Sequence, residues 1–297
     1  MKSLSALACI LLLCVVSGAA SSAAEGRGEG KSLLFLTHAG YYKHASLAAA
    51  EEAVIELGTG GGFEVTTLEG YKQSSDALDL SMITAEYLSR FDGLMMMTNG
   101  NLPLNDSQKA AIVEFVRGGK AFIGIHCASL TLYDYPEFGE MLGGYFQRPV
   151  RQNRIFVLKV EDPKHPATRM LGESWPLLDE FYLFGKAPWS AERPEENVDA
   201  LFGNRIPVGF SRDRVRVLLS IDTGRSDLTG LEGMTPGGDY PQAWCRNYGA
   251  GRSFYTALGH RIEIWRSDPV FRAHILGGIR WALGLEEGDA TPTGEKR

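Results

Sequence analysis

Gly118-Gly119-Lys120-Ala121-Phe122-Ile123-Gly124-Ile125-His126-Cys127-Ala128-Ser129 decides the fold of this chain. A helical pattern precedes it, and the two glycines stop that pattern. A short apolar stretch, Ala121 to Ile125, then runs into a histidine. An apolar run bounded by glycines is what a strand buried on both faces of a parallel sheet requires. The change to small and polar neighbours reads as a tight strand-to-helix turn. Such turns lift one reactive side chain above the sheet in many α/β enzymes. Here the lifted residue is His126, where a nucleophile elbow would carry serine or cysteine.

Working back towards the N-terminus, Ser32 to Thr37 reads as a buried strand that ends in the loop His38-Ala39-Gly40-Tyr41-Tyr42-Lys43-His44. Ser46 is placed as the N-cap of a helix over Leu47 to Leu57, which Gly58 to Gly62 should break. Phe63 to Leu68 is a second strand, and Ile83 to Ser89 is helical. Gly93 to Thr98 is a third, fully apolar strand. Asn105 and Gln108 form a capping box for a helix whose core face carries Ile112, Phe115 and Val116. The opening stretch is then the fourth strand. Strands alternating with helices specify an α/β fold with a doubly wound parallel sheet. Ligands bind such sheets outside the carboxyl ends of the strands, and His38, His44, Asn99 and His126 all fall there.

Towards the C-terminus the pattern is less regular. Ile155 to Val160 and Val215 to Ser220 read as strands, and Asp179 to Tyr182 as an extended segment. Residues 186–213 are proline- and charge-rich and read as an excursion over the sheet edge. Gly224 to Gly238 is a glycine-rich loop. Ala243 to Tyr248 and Arg252 to Ala257 flank Gly249-Ala250-Gly251 as a hairpin that leads to Leu258-Gly259-His260. Asp268-Pro269 starts a last helix, with Asp268 as its cap, running to Leu283. Residues 285–297 form a polar tail expected to fray.

Composition narrows the class. Lys2 followed by the apolar stretch Leu4 to Val16 and small residues up to Ala24 reads as a signal peptide over residues 1–24. A linker at 25–31 and a single domain at 32–284 follow, so the expected location is periplasmic or secreted. No later segment is apolar and long enough for a membrane span. The formal charge of −6 becomes −7 without Lys2, which argues against a nucleic-acid partner. Cys127 and Cys245 remain after such a cleavage, and each reads as a small buried residue.

Taken singly, a histidine is most often structural, and His165 and His274 are read so. Three at strand ends, His44, His126 and His260, are expected to share one pocket with Glu180. Three imidazoles and a carboxylate suit zinc or another divalent metal. They equally suit general acid–base work on a sugar or carbonyl compound. His38, Tyr42, Asn99, Tyr182 and Trp244 complete the expected substrate-binding set. The other aromatics, Tyr41, Trp175, Trp189 and Trp265, read mostly as packing. A thiol nucleophile at Cys127, helped by His260 and Glu263, is the competing reading; one place past the apex, its side chain should point into the fold.

Several motifs then occur in order: Thr37-His38-x6-His44, Gly124-Ile125-His126, His165-Pro166-Ala167-Thr168, and Asp179-Glu180-Phe181-Tyr182. Ala243-Trp244-x3-Tyr248-Gly-x-Gly-Arg252-x-Phe254-Tyr255-x3-Gly259-His260 follows, and then Asp268-Pro269-x-Phe271-Arg272-x2-Ile275-x-Gly277-Gly278-Ile279-Arg280-Trp281. The set resembles the ThuA-like (trehalose utilisation) family over nearly all of residues 32–284. That resemblance implies a three-layer sandwich around a mostly parallel, flavodoxin-like sheet, as in class I glutamine amidotransferases. It also implies carbohydrate metabolism, with sugars oxidised to 3-keto derivatives by a partner dehydrogenase, and a site of His44, His126, Glu180 and His260. The amidotransferase Gly-x-Cys-x-Gly elbow is here Gly124-Ile125-His126-Cys127-Ala128, so glutamine hydrolysis is not expected. The expected function is an exported hydrolase or lyase acting on a 3-keto glycoside or related small carbohydrate. A non-catalytic carbohydrate-binding protein and a cysteine hydrolase are the alternatives.

Overall fold

The computed structural model describes residues 30–74, 76–150, 154–186 and 197–294. The expected leader and Trp189 lie outside the described residues. In chain order the elements are β1 (Lys31–Thr37), α1 (Leu47–Gly61), β2 (Phe63–Glu69), α2 (Ala85–Leu88), β3 (Gly93–Met97) and the two-residue β4 (Asn99–Gly100). Next come α3 (Asp106–Arg117), β5 (Ala121–Ile125), β6 (Leu130–Thr131), α4 (Pro136–Leu142), β7 (Phe146–Val150) and β8 (Ile155–Val160). The chain continues with β9 (Ser174–Leu178), β10 (Phe181–Phe184), β11 (Arg216–Ile221), β12 (Pro241–Tyr248), β13 (Gly251–Thr256), α5 (Ile262–Ser267) and α6 (Pro269–Ala282).

A nine-stranded sheet runs β2-β1-β3-β5-β13-β12-β11-β8-β9. Its first five strands pair in parallel, and the other four continue from β13 with antiparallel pairing. The parallel sheet expected from the apolar runs is therefore one half of the whole. Two small sheets, β7 with β10 and β4 with β6, stand apart from it. β13 closes the predicted hairpin with β12 and also pairs with β5. That second pairing brings residue 260 to the edge where His126 emerges. β1, β3, β5 and β13 all run the same way, so the segments following them meet at one rim.

Burial accounts for the strands. Every residue of β3 and β5 is buried, and side chains such as Ile123 and Met95 each contribute roughly 1.5–3 kcal/mol by leaving water. Gly124 is set by packing, because a Cβ there would stand 2.8 Å from Leu142 Cδ1 and 3.0 Å from Tyr255 Cδ2. α1 packs with α5 and α6, α2 with α3, and α3 with α4. No helix among the described residues is long and apolar enough to cross a membrane.

Several expectations need correction. α1 continues through Gly58 and ends at Gly61, with Gly62 in the left-handed conformation (φ 84°). Its stripe of buried apolar residues outweighs the helix propensity that glycines lose. Ser46 makes no cap bond with its side chain; its hydroxyl donates to Gly259 O at 2.9 Å instead. The opening stretch is the fifth strand, because the two-residue β4 precedes it. The tail does not fray through residue 294: Trp281 Nε1 donates to Gly288 O at 3.0 Å, and Thr293 N donates to Val215 O at 3.1 Å. The capping box of Asn105 with Gln108 and the cap from Asp268 form as expected.

Candidate functional site

His126 follows the last residue of β5 and opens a short turn over His126–Ser129. Its φ of 46° is in the left-handed region, which residues other than glycine rarely adopt. Strain of this kind needs surrounding structure to hold it. Tyr255 supplies that, donating its hydroxyl to His126 O at 2.8 Å, with Ser129 Oγ 2.8 Å from the same phenol. His126 is wholly buried, and its Nδ1 stands 2.6 Å from Ala257 O. A carbonyl only accepts, so Nδ1 carries the proton and Nε2 presents a lone pair.

Four groups converge on that lone pair. His44 Nε2 is 3.2 Å away, His260 Nδ1 3.3 Å, the Tyr182 hydroxyl 2.8 Å, and Glu180 Oε2 3.5 Å. His260 Nδ1 is also 3.0 Å from Glu180 Oε2. Each group arrives on a different segment. His44 comes from the loop between β1 and α1, where Asn99 Oδ1 accepts from the amides of Tyr41 (2.7 Å) and Tyr42 (3.1 Å). Glu180 sits between β9 and β10, and His260 follows β13. Tyr182 lies on β10, its backbone held by Gln242, which accepts from Tyr182 N at 3.1 Å and donates to Tyr182 O at 2.8 Å.

The loop that carries His260 is fastened from both sides. Gly259, with φ 122°, donates its amide to Asp179 Oδ2 at 2.7 Å, and Arg261 donates its own to Asp179 Oδ1 at 3.0 Å. Gly259 O accepts from Ser46 Oγ and from Trp265 Nε1, each at 2.9 Å.

The electrostatics follow from burial. Desolvation, with the neighbouring His126 and His260, pushes His44 down to about 2, so it stays a neutral donor. Burial would raise Glu180, but its hydrogen bonds and attraction to His126 and His260 outweigh that and hold it well below the usual carboxylate range. Burial pushes the Tyr182 phenol well above 10, so it keeps its proton. Burial also raises Asp179, against the pull of His126 and of backbone amides.

These residues fit a metal ion. His44, His126, Glu180 and His260 offer one donor atom each, all within 4.8 Å of one another. Zinc bonds of about 2.05 Å in a tetrahedron set donor atoms roughly 3.3 Å apart, close to the 3.0–3.5 Å separations of the closest pairs here. The Nδ1–H of His126 on a backbone carbonyl is the outer hydrogen bond that ligating histidines normally make. His44 Nδ1 is buried, and no hydrogen-bond partner stands in place for it among the described residues.

The structure thus gathers the four residues expected, with Tyr182 beside them. Tyr42 stands at the rim, 55% exposed, its ring 4.8 Å from that of His44 and 6.5 Å from that of His260. The remaining expected substrate contacts lie elsewhere. His38 is buried, with Nδ1 3.1 Å from Gly70 O. Asn99 braces the Tyr41–Tyr42 backbone, also donating to Tyr42 O at 2.8 Å. Trp244 is fully buried on β12 and donates to Leu142 O at 2.7 Å; an indole in the sheet core has no face left for a sugar. Cys127 and Cys245 are free and buried, and burial pushes the Cys127 thiol up to about 12. His165 and His274 belong to the core as expected. Asp179, Ser46 and Gln242 are the contributors that sequence reasoning missed. Only the place of Asp179 beside Glu180 hinted at a role.

No curated protein matches the chain. Among solved structures, a ThuA-like protein from Bacteroides uniformis is 21% identical with a TM-score of 0.62, covering 89% of this chain and 95% of that one. A ThuA-like protein from Parabacteroides merdae is 18% identical with a TM-score of 0.61, covering 89% and 96%. A cytoplasmic protein from Salmonella typhimurium is 12% identical with a TM-score of 0.51, covering 84% and 98%. At these identities the likeness is one of fold. The family described as ThuA, trehalose utilisation, matches residues 31–282. With most of the chain matched, this protein belongs to the ThuA family.

Proposed function

We propose that this protein acts in carbohydrate metabolism as a hydrolase or lyase on a keto glycoside, after export and removal of residues 1–24. Its reacting groups are gathered at His44, His126, Glu180 and His260. One observation carries the reading: three imidazole nitrogens and a carboxylate oxygen, all buried or nearly so, meet within 4.8 Å. Gathering so many titratable groups away from water is unfavourable unless a ligand or a reaction uses them. The division of the helices into a set formed by α1, α5 and α6 and another formed by α2, α3 and α4 supports a three-layer sandwich. In such a fold the site lies at the carboxyl ends of the parallel strands, where ligands bind.

His44 Nε2, His126 Nε2, His260 Nδ1 and Glu180 Oε2 would hold a divalent cation such as zinc, which supplies Lewis-acid polarisation of a substrate carbonyl. The protein's own groups bind and orient the substrate. Tyr42 offers an exposed ring face to a sugar. The Tyr182 hydroxyl holds its proton beside His126. A ketone acidifies the neighbouring C–H; when water takes that proton, the C–H pair forms a C=C bond, and the next carbon releases the glycosidic oxygen with its bonding pair, to be protonated by the Tyr182 hydroxyl.

A second, metal-free reading is favoured by the 2.8 Å contact of the Tyr182 hydroxyl with His126 Nε2. There His126 Nε2 takes the C–H proton as base, and Tyr182 returns a proton to the departing oxygen. A carbohydrate-binding role without turnover uses the same pocket. A cysteine hydrolase at Cys127 has little support, since its thiol is buried and held up at about 12.

Elemental analysis of the purified protein, with assay of 3-keto-disaccharide turnover by wild type and His126→Ala, tests the reading. Turnover abolished in His126→Ala supports catalysis at this cluster. Binding without turnover in the wild type favours the accessory role, and full activity in His126→Ala removes the cluster from the chemistry.

A further inference from the structure

The buried carboxylate of Asp179 is not among the four donor groups, yet it adjoins Glu180 and holds the loop that carries His260. Both of its oxygens are engaged by backbone, Oδ2 by the Gly259 amide and Oδ1 by the Arg261 amide, so one carboxylate brackets His260 on either side. A fully buried charge answered by amides is unfavourable unless those bonds are well formed, and charge-assisted bonds of this kind are the stronger ones. Gly259 needs such support: its φ of 122° suits glycine, and its carbonyl is fixed separately by Ser46 and Trp265. Asp179 is joined by one peptide bond to Glu180, and Ser46 follows His44 by two residues. The segments bearing His44, Glu180 and His260 are thereby tied to one another through Gly259–Arg261.

We propose that Asp179 is a positioning residue that sets divalent-cation affinity by bracketing the His260 loop, an inference that rests on the cation reading above. Holding His260 Nδ1 3.0 Å from Glu180 Oε2 and 3.3 Å from His126 Nε2 before an ion arrives is the effect of this bracket. Without it the imidazole must be ordered at the moment of binding, and affinity falls although no ligand is lost.

Zinc affinity, measured by competition with a chromophoric chelator for wild type, Asp179→Asn and His260→Ala, tests this. Asp179→Asn keeps the size but loses one acceptor, and is expected to bind zinc about ten- to a hundredfold more weakly. Its cobalt(II)-loaded form should show a visible spectrum shifted from wild type towards that of His260→Ala. Unchanged zinc affinity and an unchanged cobalt spectrum would overturn the positioning role and leave the cation reading standing. A wild type that binds neither ion overturns both. Near-UV circular dichroism of the ion-free variant reports whether it folds. If Asp179→Asn does not fold, Ser46→Ala loosens the same loop from its carbonyl side. Weaker zinc binding by Ser46→Ala then supports the bracket, and wild-type binding by it overturns the proposal.

Discussion

His126 Nδ1 and the carbonyl oxygen of Ala257 stand 2.6 Å apart, and that one hydrogen bond fixes which nitrogen of the imidazole faces the cluster. Ala257 directly follows β13 and His126 directly follows β5, two strands paired in parallel register. The tautomer of the histidine is therefore set by the sheet itself. Nε2 is left as an acceptor amid four polar groups.

Removing the donor set at its centre should end the activity. His126→Ala is expected to lower turnover of a 3-keto-disaccharide by at least about 10²-fold, as loss of a cation ligand or, in the metal-free reading, of a positioned base would. Dialysis of the wild type against a chelator should reproduce much of that loss, with zinc restoring it. Steady-state assay before and after dialysis checks both; activity indifferent to the chelator selects the metal-free reading.

Tyr42 should serve the substrate and leave the ion alone. Tyr42→Ala is expected to weaken sugar binding about threefold to tenfold, as loss of an aromatic contact of about 0.5–1.5 kcal/mol implies. Calorimetric titration with sugar and with zinc separates the effects. An equal fall in zinc affinity would place Tyr42 in the framework of the cluster.

Alkylation should not touch the reaction. Cys127 is fully buried with its thiol pushed up to about 12, so iodoacetamide has almost no thiolate to attack at neutral pH. Cys127→Ala should keep at least roughly half of the activity and lose about 1 kcal/mol of stability or more through the small cavity. Rapid inactivation by iodoacetamide with Cys127 modified would restore the thiol reading.

Stability should fall as the solution is acidified below neutrality. Burial lowers both His165 and His274 to about 4, so each is neutral in the folded chain. Once unfolded, both take up a proton below the ordinary value of 6.5. Their contribution is fully present above pH 6.5 and is lost as pH drops towards 4. These two protons, bound only by the unfolded chain, contribute a slope of up to about 2.7 kcal/mol per pH unit, and His44, held down to about 2, adds to it in the same direction. Urea unfolding at pH 7.5, 6 and 5 with chelator present measures it, and a midpoint that does not move would contradict the assignment.

How far these features could be read from sequence depends on whether they are local. β1, β3 and β5 are continuous apolar runs, and that pattern alone implies strands buried on both faces. The histidines were found because strand ends collect function in parallel sheets, and His44, His126 and His260 all obey the rule. The rule also swept in His38 and Asn99, whose neighbours in space turn them to bracing the backbone. Trp244 looked like a sugar contact because sequence gives no hint that β12 lies inside the sheet. Ser46 and Asp179 act on a loop far away in the chain, and no spacing or propensity records such a bond. α1 outran its glycines because tertiary packing overrode local preference.

The scattering of the donors along the chain also bears on time. His44 and His126 are separated by 82 residues, and His126 and His260 by 134. Closing loops of that length is entropically unfavourable and slow, so contacts of this kind form after local structure. No fragment that stops short of β13 can assemble the cluster. Uptake of an ion would therefore mark the end of folding rather than guide its beginning, and a rapid-mixing signal from cobalt would serve as a clock for the last step of the fold.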